Sequence, residues 1–75
     1  MADLTLDTKG LNCPLPILKA KKALRNVPIG GTLEVLATDR AAVIDFTVFC
    51  HQTGNELLES GEDDGVFTFL IKRTA

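Results

Sequence analysis

Apolar and polar positions change period along the chain, and each change marks an element. Leu4-Thr5-Leu6-Asp7 alternates, the signature of a short strand with one buried face. From Pro16 the spacing lengthens: Ile17, Ala20, Leu24 and Val27 recur every three or four residues, one face of a helix. Pro16 suits a first helical position, where a missing N–H costs nothing, and Pro28 with Gly30-Gly31 stops the helix. Residues 32–38 form a second strand, apolar enough to be largely buried. Asp39 has the character of an N-cap, and Ala42, Phe46, Phe49 and Thr53 follow as the stripe of a second helix that Gly54 ends. Residues 56–60 and 66–72 are two more strands, and residues 61–65 are read as a five-residue turn between them.

The order β-α-β-α-β-β makes this an α+β chain of one domain, residues 1–75. Helices this short cannot bury their stripes alone, so both are expected on one face of a four-stranded mixed sheet, a two-layer α/β sandwich. The first two strands, joined through a helix, should be parallel; the last two should pair antiparallel as a hairpin.

Composition narrows the function. Seventy-five residues that are 45% hydrophobic and 24% charged describe a small globular domain with a thin core, so chemistry should sit near the surface. A net charge of −2 argues against tight nucleic-acid binding, and four Phe with no Trp or Tyr make a base-stacking platform improbable. The first seven residues carry no basic region or long apolar stretch, and the run at residues 66–71 is far short of a membrane span. A cytoplasmic protein without membrane attachment is expected. Two cysteines are too few for a disulfide scaffold, and one histidine without a Cys-x-x-Cys pair leaves almost no ligands for zinc, so no metal is expected. Charge is uneven: residues 1–30 balance at +3 and residues 31–75 at −5, with the basic excess on the first helix.

Cys13-Pro14-Leu15-Pro16 is the one unusual local feature. A residue before proline is pushed out of the α region, so Cys13 and Leu15 are expected to be extended and the thiol held on a stiff segment ahead of the helix. A helix N-terminus favours a thiolate by up to about 2 kcal/mol. Lowering the thiol pKa from about 8.5 by roughly one would raise the thiolate fraction at pH 7 from about 3% to about 25%. Such a thiolate can attack sulfur, accept sulfur or bind metal. No resolving cysteine lies nearby, and His51 alone is weak support for a hydrolase base. A lone thiol without a base fits a carrier best; the plain alternative is a small half-buried residue in a proline-rich loop. Cys50, beside Phe49, reads as core. Lys19, Lys22 and Arg25 read either as a solvated helix face or as a docking surface.

Gly10-Leu11-Asn12-Cys13-Pro14-Leu15-Pro16, between a strand and a basic helix, resembles the TusA-like (SirA-like) sulfur-carrier family. The likeness continues through Gly30-Gly31-Thr32-Leu33, Ala37-Thr38-Asp39, Phe49-Cys50 and the final strand, nearly the whole chain. Two positions depart from it. Arg40 follows Asp39 where many members have proline, and Leu15 stands where some tRNA-thiolation members have an acid. The resemblance implies a sheet ordered 1-2-4-3 with the last strand antiparallel to the rest, as in the C-terminal domain of translation initiation factor three. It implies a sulfurtransferase without a cofactor, in which Cys13 carries a persulfide and Pro14 and Pro16 set its conformation. The implied partners are a cysteine desulfurase or rhodanese-like donor and a downstream acceptor protein, in tRNA 2-thiolation or another sulfur relay. A carrier that meets two partners in turn is expected to be a monomer. The competing expectation is a non-catalytic RNA-associated or regulatory module that docks through the basic helix.

Overall fold

The computed structural model describes residues 2–74. Six elements follow in the order β1 (Leu4–Thr8), α1 (Leu15–Leu24), β2 (Thr32–Ala37), α2 (Ala41–Thr53), β3 (Glu56–Asp63) and β4 (Val66–Lys72). They form one four-stranded sheet in the order β1-β2-β4-β3. β1 runs parallel to β2, and β4 runs antiparallel to both β2 and β3, as the sequence predicts.

Registration across the sheet explains why alternate residues are buried. Leu33, Val35 and Ala37 of β2 stand beside Ile71, Phe69 and Phe67 of β4, and all six are buried. Ala20, Leu24 and Val27 from the α1 side and Ala42, Phe46, Phe49 and Cys50 from α2 close over them. The Phe46 ring stacks on Phe69 at 4.7 Å between centroids and meets Phe49 edge-on at 6.4 Å. The opposite sheet face carries half-buried Glu34, Leu36, Thr68 and Leu70 with no helix over it. The outer strands are β1, which carries Asp7, and β3, which carries Glu56, Glu59, Glu62 and Asp63.

Several boundaries differ from the sequence reading, each for a local reason. α1 begins at Leu15, so Pro16 is the second helical residue; its missing N–H is still among the first four, which have no intrahelical partner. Leu15 is therefore helical where the residue-before-proline rule predicts an extended conformation. α1 ends at Leu24, and Val27 reaches the core from the following turn. There Arg73 donates to the Val27 carbonyl at 2.7 Å. Arg40, not Asp39, is the boundary residue of α2, whose other end is Gly54 in the left-handed conformation that glycine adopts at low cost. β3 runs on to Asp63, so the hairpin closes through Asp64 and Gly65 alone, with φ of 53° and 82°. Two successive positive φ values match the right-handed twist of paired strands, which is why Asp-Gly closes tight hairpins.

Candidate functional site

The β1–α1 and β2–α2 loops leave the same end of two adjacent parallel strands. That end, where chains turn away from a sheet and leave backbone groups unpaired, is the usual place for a site in α/β folds. One hydrogen bond between the strand ends and two between the loops tie this region together. Buried Thr8 donates its hydroxyl to the Leu36 carbonyl at 2.5 Å, the Gly10 N–H donates to the Thr38 hydroxyl at 2.9 Å, and the Cys13 N–H donates to Asp39 Oδ2 at 2.6 Å. The other Asp39 oxygen, Oδ1, accepts the Ala41 N–H at 3.1 Å. One carboxylate thus serves the first turn of α2 and the backbone of Cys13 together. The expected capping role of Asp39 survives as this Ala41 contact, although the residue sits one position further from the helix than a simple N-cap.

Cys13 and Pro14 are the central residues of a turn that the Leu15 N–H closes onto the Asn12 carbonyl at 2.9 Å, and the peptide bond between them is cis. The Leu18 N–H then bonds the Pro14 carbonyl at 3.1 Å and carries the chain into α1. Pro16 is buried and Pro14 exposed. The two prolines bracket the thiol-bearing turn, one outside the helix and one anchored in it.

The Cys13 side chain is exposed and lies at a groove of about 270 Å³ between the start of α1 and the second half of α2. Pro14, Ile17, Val48 and Phe49 give it apolar walls, with Asp45 and Gln52 as the polar groups. The apolar surface extends outward along α2, where Ile44 stands one turn before Val48 and is 70% exposed.

Electrostatics here overturn the sequence expectation of an acidified thiol. The Cys13 pKa is raised above the ordinary thiol value. The first cause is the Asp45 side chain in the same groove; desolvation and the negative charges of Asp45 and Asp39 add to it. The helix N-terminus has few N–H groups with which to oppose this, because Pro14 and Pro16 contribute none and those of Leu15 and Leu18 are already bonded. The basic residues do not compensate. Lys9 pairs with Asp7 at 3.7 Å, and Lys19, Lys22 and Arg25, all exposed on or just after α1, do not line the groove.

Cys50 is 4% exposed, and burial pushes its thiol up, so the core reading holds. His51 is exposed in the last turn of α2, away from the groove lining. The structure therefore brings Cys13 together with two residues that the sequence reading gave no part in the chemistry, Asp39 and Asp45. Asp45 carried a faint signal: it lies three residues after Ala42 and four before Phe49, on the border of the buried stripe, where a carboxylate must face a crevice or solvent. The contact between Asp39 and Cys13 spans 26 residues and has no local signature.

Residues 4–73 match the family model described as sulfurtransferase TusA. The chain belongs to this family. A sulfur carrier protein TusA from Allochromatium vinosum is 57% identical over 72 residues, covering 96% of this chain and 95% of that one. A Pseudomonas putida sulfur carrier protein TusA is 42% identical over 73 residues, covering 97% and 91%. In three dimensions the chain is similar to a SirA-like protein from Desulfitobacterium hafniense, with a TM-score of 0.83 at 28% identity, covering 96% of this chain and 99% of that one. Family and fold agree with the resemblance carried by the Cys-Pro-Leu-Pro turn and the element order. No helix among the described residues is long and apolar enough to cross a membrane.

Proposed function

We propose that this protein is a sulfur carrier, a small sulfurtransferase that acts as a single domain of residues 1–75 and holds sulfane sulfur as a persulfide on Cys13. The observation that carries the reading is the exposed Cys13 thiol on a proline-bracketed turn at the mouth of an apolar groove. A carrier must offer its sulfur to two different proteins in succession, so the side chain has to be reachable, fixed in direction, and free of an internal thiol that would discharge it. The only other cysteine, Cys50, is buried in the core.

Loading requires little from the protein. Cys13 Sγ bonds to the terminal sulfur of a donor persulfide, and the donor's S–S bond breaks. The donor cysteine leaves with the bonding pair and takes up the proton that Cys13 gives up. The transferred sulfur keeps its oxidation state, so no external oxidant or reductant enters. A cysteine desulfurase or a rhodanese-like protein fits the donor role, and a downstream protein of tRNA 2-thiolation or another sulfur relay fits the acceptor role. Lys19, Lys22 and Arg25 form the cationic side of α1 that such partners would meet.

Incubation with a cysteine desulfurase and cysteine, followed by intact mass under non-reducing conditions, tests this. The expected result is a gain of about 32 Da, one persulfide sulfur, lost in Cys13→Ser and kept in Cys50→Ala. No adduct, or an adduct that survives Cys13→Ser, would refute it. Tight RNA binding at physiological salt would instead favour a nucleic-acid module, for which a chain of net charge −2 offers little electrostatic drive.

A further inference from the structure

The carrier reading leaves unexplained why two carboxylates stand beside a group whose loaded form is an anion. Asp39 reaches Cys13 through the backbone: Oδ2 accepts the Cys13 N–H at 2.6 Å while Oδ1 accepts the Ala41 N–H at 3.1 Å. Asp45 shares the groove with the Cys13 side chain, one wall residue among Pro14, Ile17, Val48 and Phe49. A site built only to stabilise a thiolate would place cations here, and none lines the groove.

Resting on the carrier reading, we propose that Asp39 and Asp45 are the positioning residues of sulfur transfer: Asp39 fixes the Cys13 backbone against α2, and Asp45 is the anionic wall residue that shares the groove with the unloaded thiol, a juxtaposition that loading loosens by carrying the reactive atom one S–S bond outward. An S–S bond is about 2.05 Å long, so the terminal sulfur of the persulfide lies beyond the position Sγ occupies beside Asp45. A persulfide is also a stronger acid than its parent thiol, because its negative charge sits on a sulfur already bonded to sulfur. The empty carrier is therefore a protonated, slow nucleophile, and the loaded carrier presents an anion at the groove mouth, further from the carboxylate. The direction of the thiol's shift agrees, with Asp45 as its first cause and Asp39 a minor one. The remaining groups that face the thiol, Ile17 of α1 and Val48, Phe49 and Gln52 of α2, are uncharged, and Lys9 is paired with Asp7.

Two measurements in a Cys50→Ala background, where Cys13 is the sole thiol, test both halves. The first is the pH profile of iodoacetamide alkylation. Asp45→Asn keeps size and removes the charge, so the thiol should titrate at lower pH and alkylate about two- to threefold faster near pH 7.5. The gain stays modest because nucleophilicity falls as thiol acidity rises. A profile that superimposes on that of the parent overturns the role of Asp45. The second is steady-state loading by a cysteine desulfurase. Asp39→Ala should lower kcat for loading about tenfold at unchanged KM, since a misdirected sulfur loses alignment rather than affinity. Asp39→Asn, which retains one acceptor, should recover much of that loss. Equal loss in both variants, or unchanged kcat with only a lowered Tm, overturns the role of Asp39. Failure of the parent to load at all would sink the carrier reading itself, while the alkylation profiles would still decide whether Asp45 governs the thiol.

Discussion

Phe46 is the residue on which the seating of α2, and so the position of Asp45 next to it, depends most. It is fully buried, stacked on Phe69 of the sheet at 4.7 Å and edge-on to Phe49 at 6.4 Å. Truncating a buried Phe to Ala costs about 3–5 kcal/mol, and aromatic pairs add about 0.5–1.5 kcal/mol beyond their buried area. A chain of this length has a total stability of roughly 4–11 kcal/mol, so Phe46→Ala removes a large share of it. Phe46→Leu is the more informative change. It keeps most of the apolar volume and forfeits both ring contacts, and about 1–2 kcal/mol should be lost. With no Trp or Tyr for fluorescence, urea unfolding followed by far-ultraviolet circular dichroism is the suitable assay. At a slope of about 1 kcal/mol per molar urea, the midpoint should fall by about 1–2 M with the slope unchanged. The folded fraction should still accept sulfur on Cys13, since Phe46 does not line the groove. A midpoint within about 0.3 M of wild type would show that the ring pair contributes little, and the account of the core as an aromatic clasp between α2 and the sheet would be wrong.

Two further outcomes are expected. Replacing Lys19 and Lys22 together by Glu should slow sulfur acceptance from the donor and leave the circular dichroism spectrum intact, because both side chains are exposed; unchanged transfer kinetics would remove the docking role from that face. For Cys50, burial raises the thiol pKa, so the folded protein holds this proton more tightly than the unfolded chain does. Its contribution to stability is therefore complete below the ordinary thiol pKa and is lost as pH rises through the folded value. The urea midpoint should decline above about pH 9 in Cys13→Ser and decline less when Cys50→Ala is added; parallel declines would contradict the assignment.

Most elements were legible because they have a clean period. Ile17, Ala20 and Leu24 mark one helical stripe, Ala42, Phe46 and Phe49 another, and β1, β2 and β4 alternate, whereas β3 has no such pattern and a register shift at Leu57/Glu59. Sheet order was not legible from spacing, since nothing local says that β4 inserts between β2 and β3; it came from the family resemblance. The hairpin turn was misjudged because Gly61 to Asp63 looks like loop composition, whereas an edge strand tolerates glycine and acids that face solvent. Asp64-Gly65 was the better signal. At the site, Cys13 and its prolines stood out locally. Its acidity was misjudged because the helix was weighed without the carboxylates that folding brings beside it, one from 26 residues away.

The two open edges of the sheet have a consequence of their own. An unpaired strand is a template on which a second copy can add. β3 lines its free edge with four carboxylates within eight residues, and β1 is only five residues long with Asp7 near its end. Two such edges meeting would set like charges against each other, so the acidic residues of the second half act as an anti-polymerisation guard.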